Sequence, residues 1–224
     1  MALTILIVSA YSITAYAKSK APYNPDKAYA EIDKSIEGIT TYKEYVEKRN
    51  SELANEIIDG VLTTITISSP ANFDEIAYYV LNYDISIVQI QLRGIAPDGT
   101  RITVFSRTDK GLEETEKILL EQARVGGYEL IGVIGMNVLV NSDRLIDLQA
   151  DSLTYLADTS SDRYFKGSNN ISSGERNNLD EVNRGKLFPQ SLYWDLEDLN
   201  IIDTADYNVI DSISDRVSTS GYSE

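Results

Sequence analysis

The sequence predicts an α+β domain built on an antiparallel sheet. Three observations carry that prediction. Short β-branched or alternating runs recur at 61–68, 85–92, 101–105 and 128–134. The first and third gaps between them hold apolar residues at helical spacing, and the second holds a four-residue turn. No internal repeat is evident, so 224 residues with 42% apolar content give one main domain with extensions.

The chain opens on an uncharged run of Leu3, Ile5, Leu6, Ile7, Val8, Ala10, Tyr11, Ile13 and Ala15, closing on Ala15-Tyr16-Ala17 before Lys18. An apolar core ending in small-x-small is the pattern of a secretory signal peptide over residues 1–17. It places the rest of the chain outside the cytoplasm, secreted or on the cell surface. The usual basic n-region is missing. Uncleaved, the run would be an anchor or a filament-core helix, and the one route to a membrane. Spanning needs ~20 apolar residues, and Ser9, Ser12 and Thr14 dilute this stretch. A buried core segment is the third reading. No Cys follows, which removes a lipobox.

Residues 18–60 read as a helical arm. A linker with Pro22 and Pro25 leads to Asp26, a helix cap. Ala28, Tyr29, Ile32 and Ile36 follow at helical spacing, Gly38 interrupts, and Tyr42, Tyr45, Val46, Leu53 and Ile57 form a second run.

Residues 61–158 are the best-organised part. Val61 to Ser68 is a β-branched strand, stopped by Ser69-Pro70. Asn72 caps a helix bearing Phe73, Ile76, Ala77, Val80 and Leu81. Ile85 to Leu92 alternates apolar and polar. Ala96-Pro-Asp-Gly99 is a hairpin turn, with Pro97 pre-setting φ and Gly99 accepting φ > 0. Arg101 to Phe105 returns. Thr108 or Asp109 opens a helix with Leu112, Thr115, Ile118, Leu119, Gln122 and Ala123 on one side, ended by Gly126-Gly127. Tyr128 to Ile134 is the fourth strand. Ser142-Asp143 caps a short helix, and Leu153 to Ala157 is a fifth strand. The expected buried set is Ile65, Ile67, Ile87, Ile90, Val104, Ile118, Leu119, Val133 and Ile134. This βαββαβ order followed by αβ is the ferredoxin-like split βαβ sandwich. Two helices would cover one sheet face. The N-terminal arm or a partner would cover the other.

In element order, residues 61–157 resemble the small exported domains typified by subtilisin propeptides and their inhibitor relatives. The matching features are the βαββαβ order, the Ala96-Pro-Asp-Gly99 hairpin, and the Val133-Ile134 strand preceding a helix. The resemblance covers under half of the chain and includes no residue-level motif. It implies a fold and, as a functional alternative, a protease-inhibitor, propeptide-like or chaperone-like role.

Beyond Asp158 the composition turns to Ser, Asn, Gly and charge. Residues 159–186 read as a flexible linker, and 187–224 as a largely irregular acidic tail. Within the tail, Leu192, Leu196 and Leu199 fall at helical spacing beside Trp194, the only Trp, with Ser191 as cap. A helix this short is unstable alone and must dock. These four apolar residues are the expected partner-binding set, with the protein's own sheet face or arm as the first receptor.

Charge and residue types exclude several chemistries. A net charge of −15 argues against nucleic acid. With no Cys and no His there are no disulfides, no Ser-His-Asp or Cys-His nucleophile, and no imidazole or thiolate metal ligand. A Cys-free exported domain fits a prokaryote. Any metal would be hard and oxygen-ligated. Asp195, Glu197, Asp198, Asp203 and Asp206 form the densest acidic cluster, a weak Ca²⁺ candidate that lacks the EF-hand pattern and reads better as a solvated helix face. No other cofactor is expected. Gly126-Gly127 and Gly132-Val-Ile-Gly135 match neither nucleotide fingerprint and read as a helix stop and as close-packed strand positions. Asn170-Ile-Ser172 is a formal glycosylation sequon. Fifteen Tyr against four Phe fit a half-exposed aromatic binding surface. The function these features predict is an exported, non-enzymatic protein-interaction or surface-assembly module, working through a protein partner or self-assembly. A carboxylate-dependent hydrolase is the remaining alternative.

Overall fold

The computed structural model describes residues 33–160 and 190–202. The expected leader over 1–17, most of the expected linker, and Asp203 and Asp206 lie outside the described residues. The elements are α1 (Ile36–Leu53), β1 (Val61–Ala71), α2 (Phe73–Tyr83), β2 (Ser86–Ile95), β3 (Arg101–Arg107), α3 (Leu112–Gly126), β4 (Glu129–Val140), a 3₁₀ turn (Ser142–Arg144), α4 (Leu145–Ala150), β5 (Thr154–Asp158) and α5 (Tyr193–Asp198).

The strands form one antiparallel five-stranded sheet in the order β3-β2-β4-β1-β5. The expected βαββαβ unit uses the first four strands, with β5 as an addition. Here β4 lies between β1 and β2, and β3 takes the edge. β1 likewise lies between β4 and β5. The elements β1-α2-β2 and β4-α4-β5 therefore make two interlocked crossovers, and β3 with α3 is inserted between them. A hairpin turn makes β2 and β3 neighbours, but it leaves open on which side of β2 the next strand enters.

Local chemistry accounts for most elements. Asn72 and Glu75 form a reciprocal capping box at α2, with Glu75 N donating to Asn72 Oδ1 at 2.9 Å and Asn72 N donating to Glu75 Oε2 at 2.8 Å. Gly99 sits at φ +83° in the β2–β3 turn. Gly127 ends α3 in the left-handed conformation.

Several expectations are corrected. The expected first run of the arm, with Asp26, Ala28, Tyr29 and Ile32, lies outside the described residues; Gly38 does not interrupt α1 but lies in its first turn, donating to the Ser35 cap at 3.0 Å. Pro70 does not stop β1, which continues to Ala71. Pairing with β4 has lapsed over that stretch, so the missing N–H costs no ladder bond. α3 starts at Leu112 and buries Thr115, Glu116, Leu119 and Ala123, leaving Ile118 half-buried and Gln122 exposed. Ile87 and Val104 are also half-buried, while the other six expected core residues are buried. β4 runs six residues past Ile134.

The two faces of the sheet differ. One carries α2, α3 and α4 over a continuous apolar core that includes Ile65, Ile67, Ile76, Ile90, Leu92, Leu119, Val133, Met136, Leu145 and Leu148. The other carries α1 and α5. Its smaller cluster gathers Ile39, Tyr42 and Val46 from α1 with Ile134, Leu156, Leu192, Tyr193, Leu196 and Ile202. A bulge in β4 makes this possible. Gln91 pairs with Gly135 and Leu92 with Val133, so Ile134 is the extra residue and turns to the second face while Val133 stays on the first.

The sheet edges also differ. On β5, Ala157 N donates to Gln149 Oε1 at 2.8 Å, Gln149 Nε2 donates to Tyr155 O at 3.2 Å, and Asn50 Nδ2 donates to Ala157 O at 2.8 Å. Side chains thus occupy the edge groups that another strand would need.

Candidate functional site

The second face of the sheet is where polar chemistry concentrates. Period-two alternation puts Ile90 and Leu92 toward the helices and Gln89, Gln91 and Arg93 on the opposite face of β2. From the neighbouring strands come Thr64 and Thr66 of β1, Asn137 of β4 and Thr103 of β3. Thr64 Oγ1 donates to Asn137 Oδ1 at 2.8 Å, and Asn137 Nδ2 donates to Gln89 Oε1 at 3.2 Å. This row is satisfied within the sheet.

The next row is satisfied by the tail. Ser191 N donates to Gln91 Oε1 at 2.9 Å, and Leu192 N donates to Thr66 Oγ1 at 3.0 Å. Ser191 therefore enters through its backbone, and no side-chain cap bond holds α5, contrary to the capping role expected of it. Gly135 makes the approach possible, since a Cβ there would lie 2.5 Å from Ser191 Cβ. The close-packed role expected for Gly132 and Gly135 is what they perform.

α5 is then fixed by charge. Arg93 donates to Glu197 through Nε at 3.1 Å and Nη2 at 2.9 Å, with both side chains about nine-tenths buried. Arg101 reaches Glu197 at 3.3 Å and Asp198 at 2.7 Å. The hydrogen bond to Glu197 raises the pKa of Arg93 above the ordinary arginine value, and that to Asp198 raises Arg101. Both guanidinium groups lie by the Trp194 ring, at 5.4 and 5.0 Å from its centroid, and Trp194 Nε1 donates to Thr103 Oγ1 at 2.6 Å. Lys34, just ahead of α1, pairs with Asp195 at 2.8 Å.

The sequence-predicted residues are thus accounted for as follows. Leu192 and Leu196 are buried against the sheet and α1, with Trp194 and Leu199 partly buried beside them. Asp195, Glu197 and Asp198 of the acidic cluster are each engaged by a cation of this chain. Among the described residues no group of three or more potential ligands is placed to hold a metal ion, and no helix is long and apolar enough to cross a membrane.

A second polar knot ties α1 to the end of β5. Tyr42 Oη donates to Asp158 Oδ2, Ser160 N donates to Asp158 Oδ1 at 2.8 Å, and Thr159 Oγ1 donates to Asn50 Oδ1 at 3.0 Å. Asp158 is fully buried, and loss of solvent raises its pKa despite these bonds.

No family model matches this chain, and no curated protein or solved structure matches it. Arg93, Arg101, Gln91, Thr66 and Thr103 were missed by sequence reasoning because the polar side of an alternating strand reads as solvated. The signal the sequence did offer was a pairing: an apolar tail helix in need of a surface, and a sheet face in need of cover.

Proposed function

We propose that this chain is an exported, non-enzymatic protein-interaction module whose receptor surface is the second face of the sheet. The sheet is best assigned as ferredoxin-like, with β1-α2-β2-β4-α4-β5 as the unit and β3-α3 as an insertion. The observation that carries the functional reading is the seating of residues 190–202. Sheet side chains accept from two backbone N–H groups, two arginines lie by one indole, and a buried arginine pairs with one carboxylate. This is the chemistry of short-peptide recognition: an aromatic anchor, apolar pockets and charged register pins. The ligand class is an aromatic–acidic helical segment, of which α5 is the resident example. The propeptide-like alternative has less support, because an enzyme would need the face that α1 and α5 cover.

Export rests on the 1–17 pattern alone. The N-terminal sequence of the native protein is expected to begin at Lys18, and retention of Leu3 to Ala17 would replace export by anchoring or filament packing. The receptor is tested with a fluorophore-labelled peptide of residues 190–202. Anisotropy should show it binding full-length Glu197→Arg protein, whose own helix is repelled, at least tenfold more tightly than wild type. A folded Glu197→Arg protein that ignores the peptide refutes the receptor.

A further inference from the structure

We propose that α5 is exchangeable between molecules, so that the partner this face fits is the α5 segment of a second copy of the same chain. The inference rests on the receptor reading above and names its ligand. Every copy carries both halves: a receptor made by Thr66, Gln91, Arg93, Arg101 and Thr103, and the segment 190–202 that fills it. None of these contacts depends on the two halves sharing a chain.

The connection between them, residues 161–189, reaches up to ~100 Å when extended. A domain of this size is about 35–40 Å across. The link is therefore long enough to deliver α5 to a neighbour as well as to its own sheet. Reciprocal exchange closes a twofold dimer, and one-way delivery builds an open chain. Docking within one molecule competes at an effective concentration of mM order for short linkers, falling as the linker lengthens. Exchange thus becomes appreciable near ~1 mM, or at equal density on a surface. Each copy carries −15, so added salt favours exchange by screening repulsion between copies, while the buried Arg93–Glu197 pair is screened much less.

Two charge-reversed proteins test this. In one, Glu197→Arg and Asp198→Arg set the helix against its own receptor. In the other, Arg93→Glu and Arg101→Glu set the receptor against its own helix. Each alone should be monomeric with solvent-exposed Trp194 emission. Mixed, they should form a heterodimer by sedimentation, and Trp194 emission should shift to the blue. A mixture that stays monomeric, while one chain carrying all four substitutions recovers the blue emission, overturns exchange and leaves the receptor standing. Loss of labelled-peptide binding would instead overturn the receptor itself. Should the reversed proteins not fold, wild type still decides. Sedimentation from 1 µM to 1 mM should reveal dimers that grow with salt, and a strict monomer throughout refutes the proposal.

Discussion

On one face of the sheet, Ile65, Ile90, Leu92, Val133 and Met136 meet three helices through apolar contact. On the other, Gln91, Thr66, Thr103 and Arg93 fix residues 191–197 through hydrogen bonds and an ion pair, beside a smaller apolar cluster that includes Leu192, Tyr193 and Leu196. The first kind of contact is non-directional and scales with buried area. It supplies stability without fixing what lies opposite. The second is directional, and its net worth per bond is modest because water offers the same bonds. It fixes register, while Leu192, Tyr193 and Leu196 add apolar burial beside it. The larger apolar face holds the fold together, and the polar groups of the second face select what sits on it.

The comparison breaks first on Leu119→Ala. Leu119 is fully buried on the inner side of α3, and truncation should cost ~2–5 kcal/mol in urea unfolding. A loss under about 0.5 kcal/mol would place it among surface sites. Arg93→Ala should behave differently. It strands Glu197, but α5 can leave and hydrate the carboxylate, so the loss is capped at the docking energy. About 1.5–3 kcal/mol is expected from a charged hydrogen bond. It should appear as a red shift of Trp194 at urea concentrations where far-UV circular dichroism is still native. Coincident transitions in that variant would mean the faces are not separable. Gly135→Ala sharpens the point without touching charge. Its Cβ meets Ser191, and ~1–3 kcal/mol of overpacking should fall on the same Trp194 signal.

A pH series separates α1 from α5. Burial raises Asp158 above its unfolded value of about 3.9, so in that window the unfolded state binds fewer protons. Stability from this group is fully present below the unfolded pKa and is lost as pH rises through the folded one. Each unit of the shift is worth about 1.4 kcal/mol. Wild type should therefore lose stability relative to Asp158→Asn as pH is raised from 4, and a difference that is flat in pH would remove the buried carboxylate from the account. The smallest effect belongs to the outer side of α2. Leu81 is 80% exposed, and Leu81→Lys should change stability by less than about 0.5 kcal/mol.

How much of this was legible follows the same division. Strand alternation, the Asn72 cap, the Gly99 turn and the Gly126-Gly127 stop are local, and each was readable where it stands. So was the need of Leu192, Trp194 and Leu196 for a surface. Strand order was not, because nothing local decides whether β3 or β4 fills the slot beside β1. The far half of β4 was missed for a related reason. Gly135 and Asn137 look like strand breakers until Ser191 takes the space over one, and Thr64 and Gln89 bond the other. Arg93 reads as a solvated strand residue until a carboxylate distant in sequence arrives.

The Gln149 and Asn50 bonds along β5 have a consequence for crowding. Amyloid-like growth needs a free margin on which strands add without end. One margin of this sheet is already stitched shut by two amide side chains. The other, β3, begins and ends in arginine, and an antiparallel copy centred on Val104 would bring Arg101 against Arg107. A protein that gathers at high local density can then meet its neighbours through the broad side of the sheet, while its two margins refuse lateral stacking by different means.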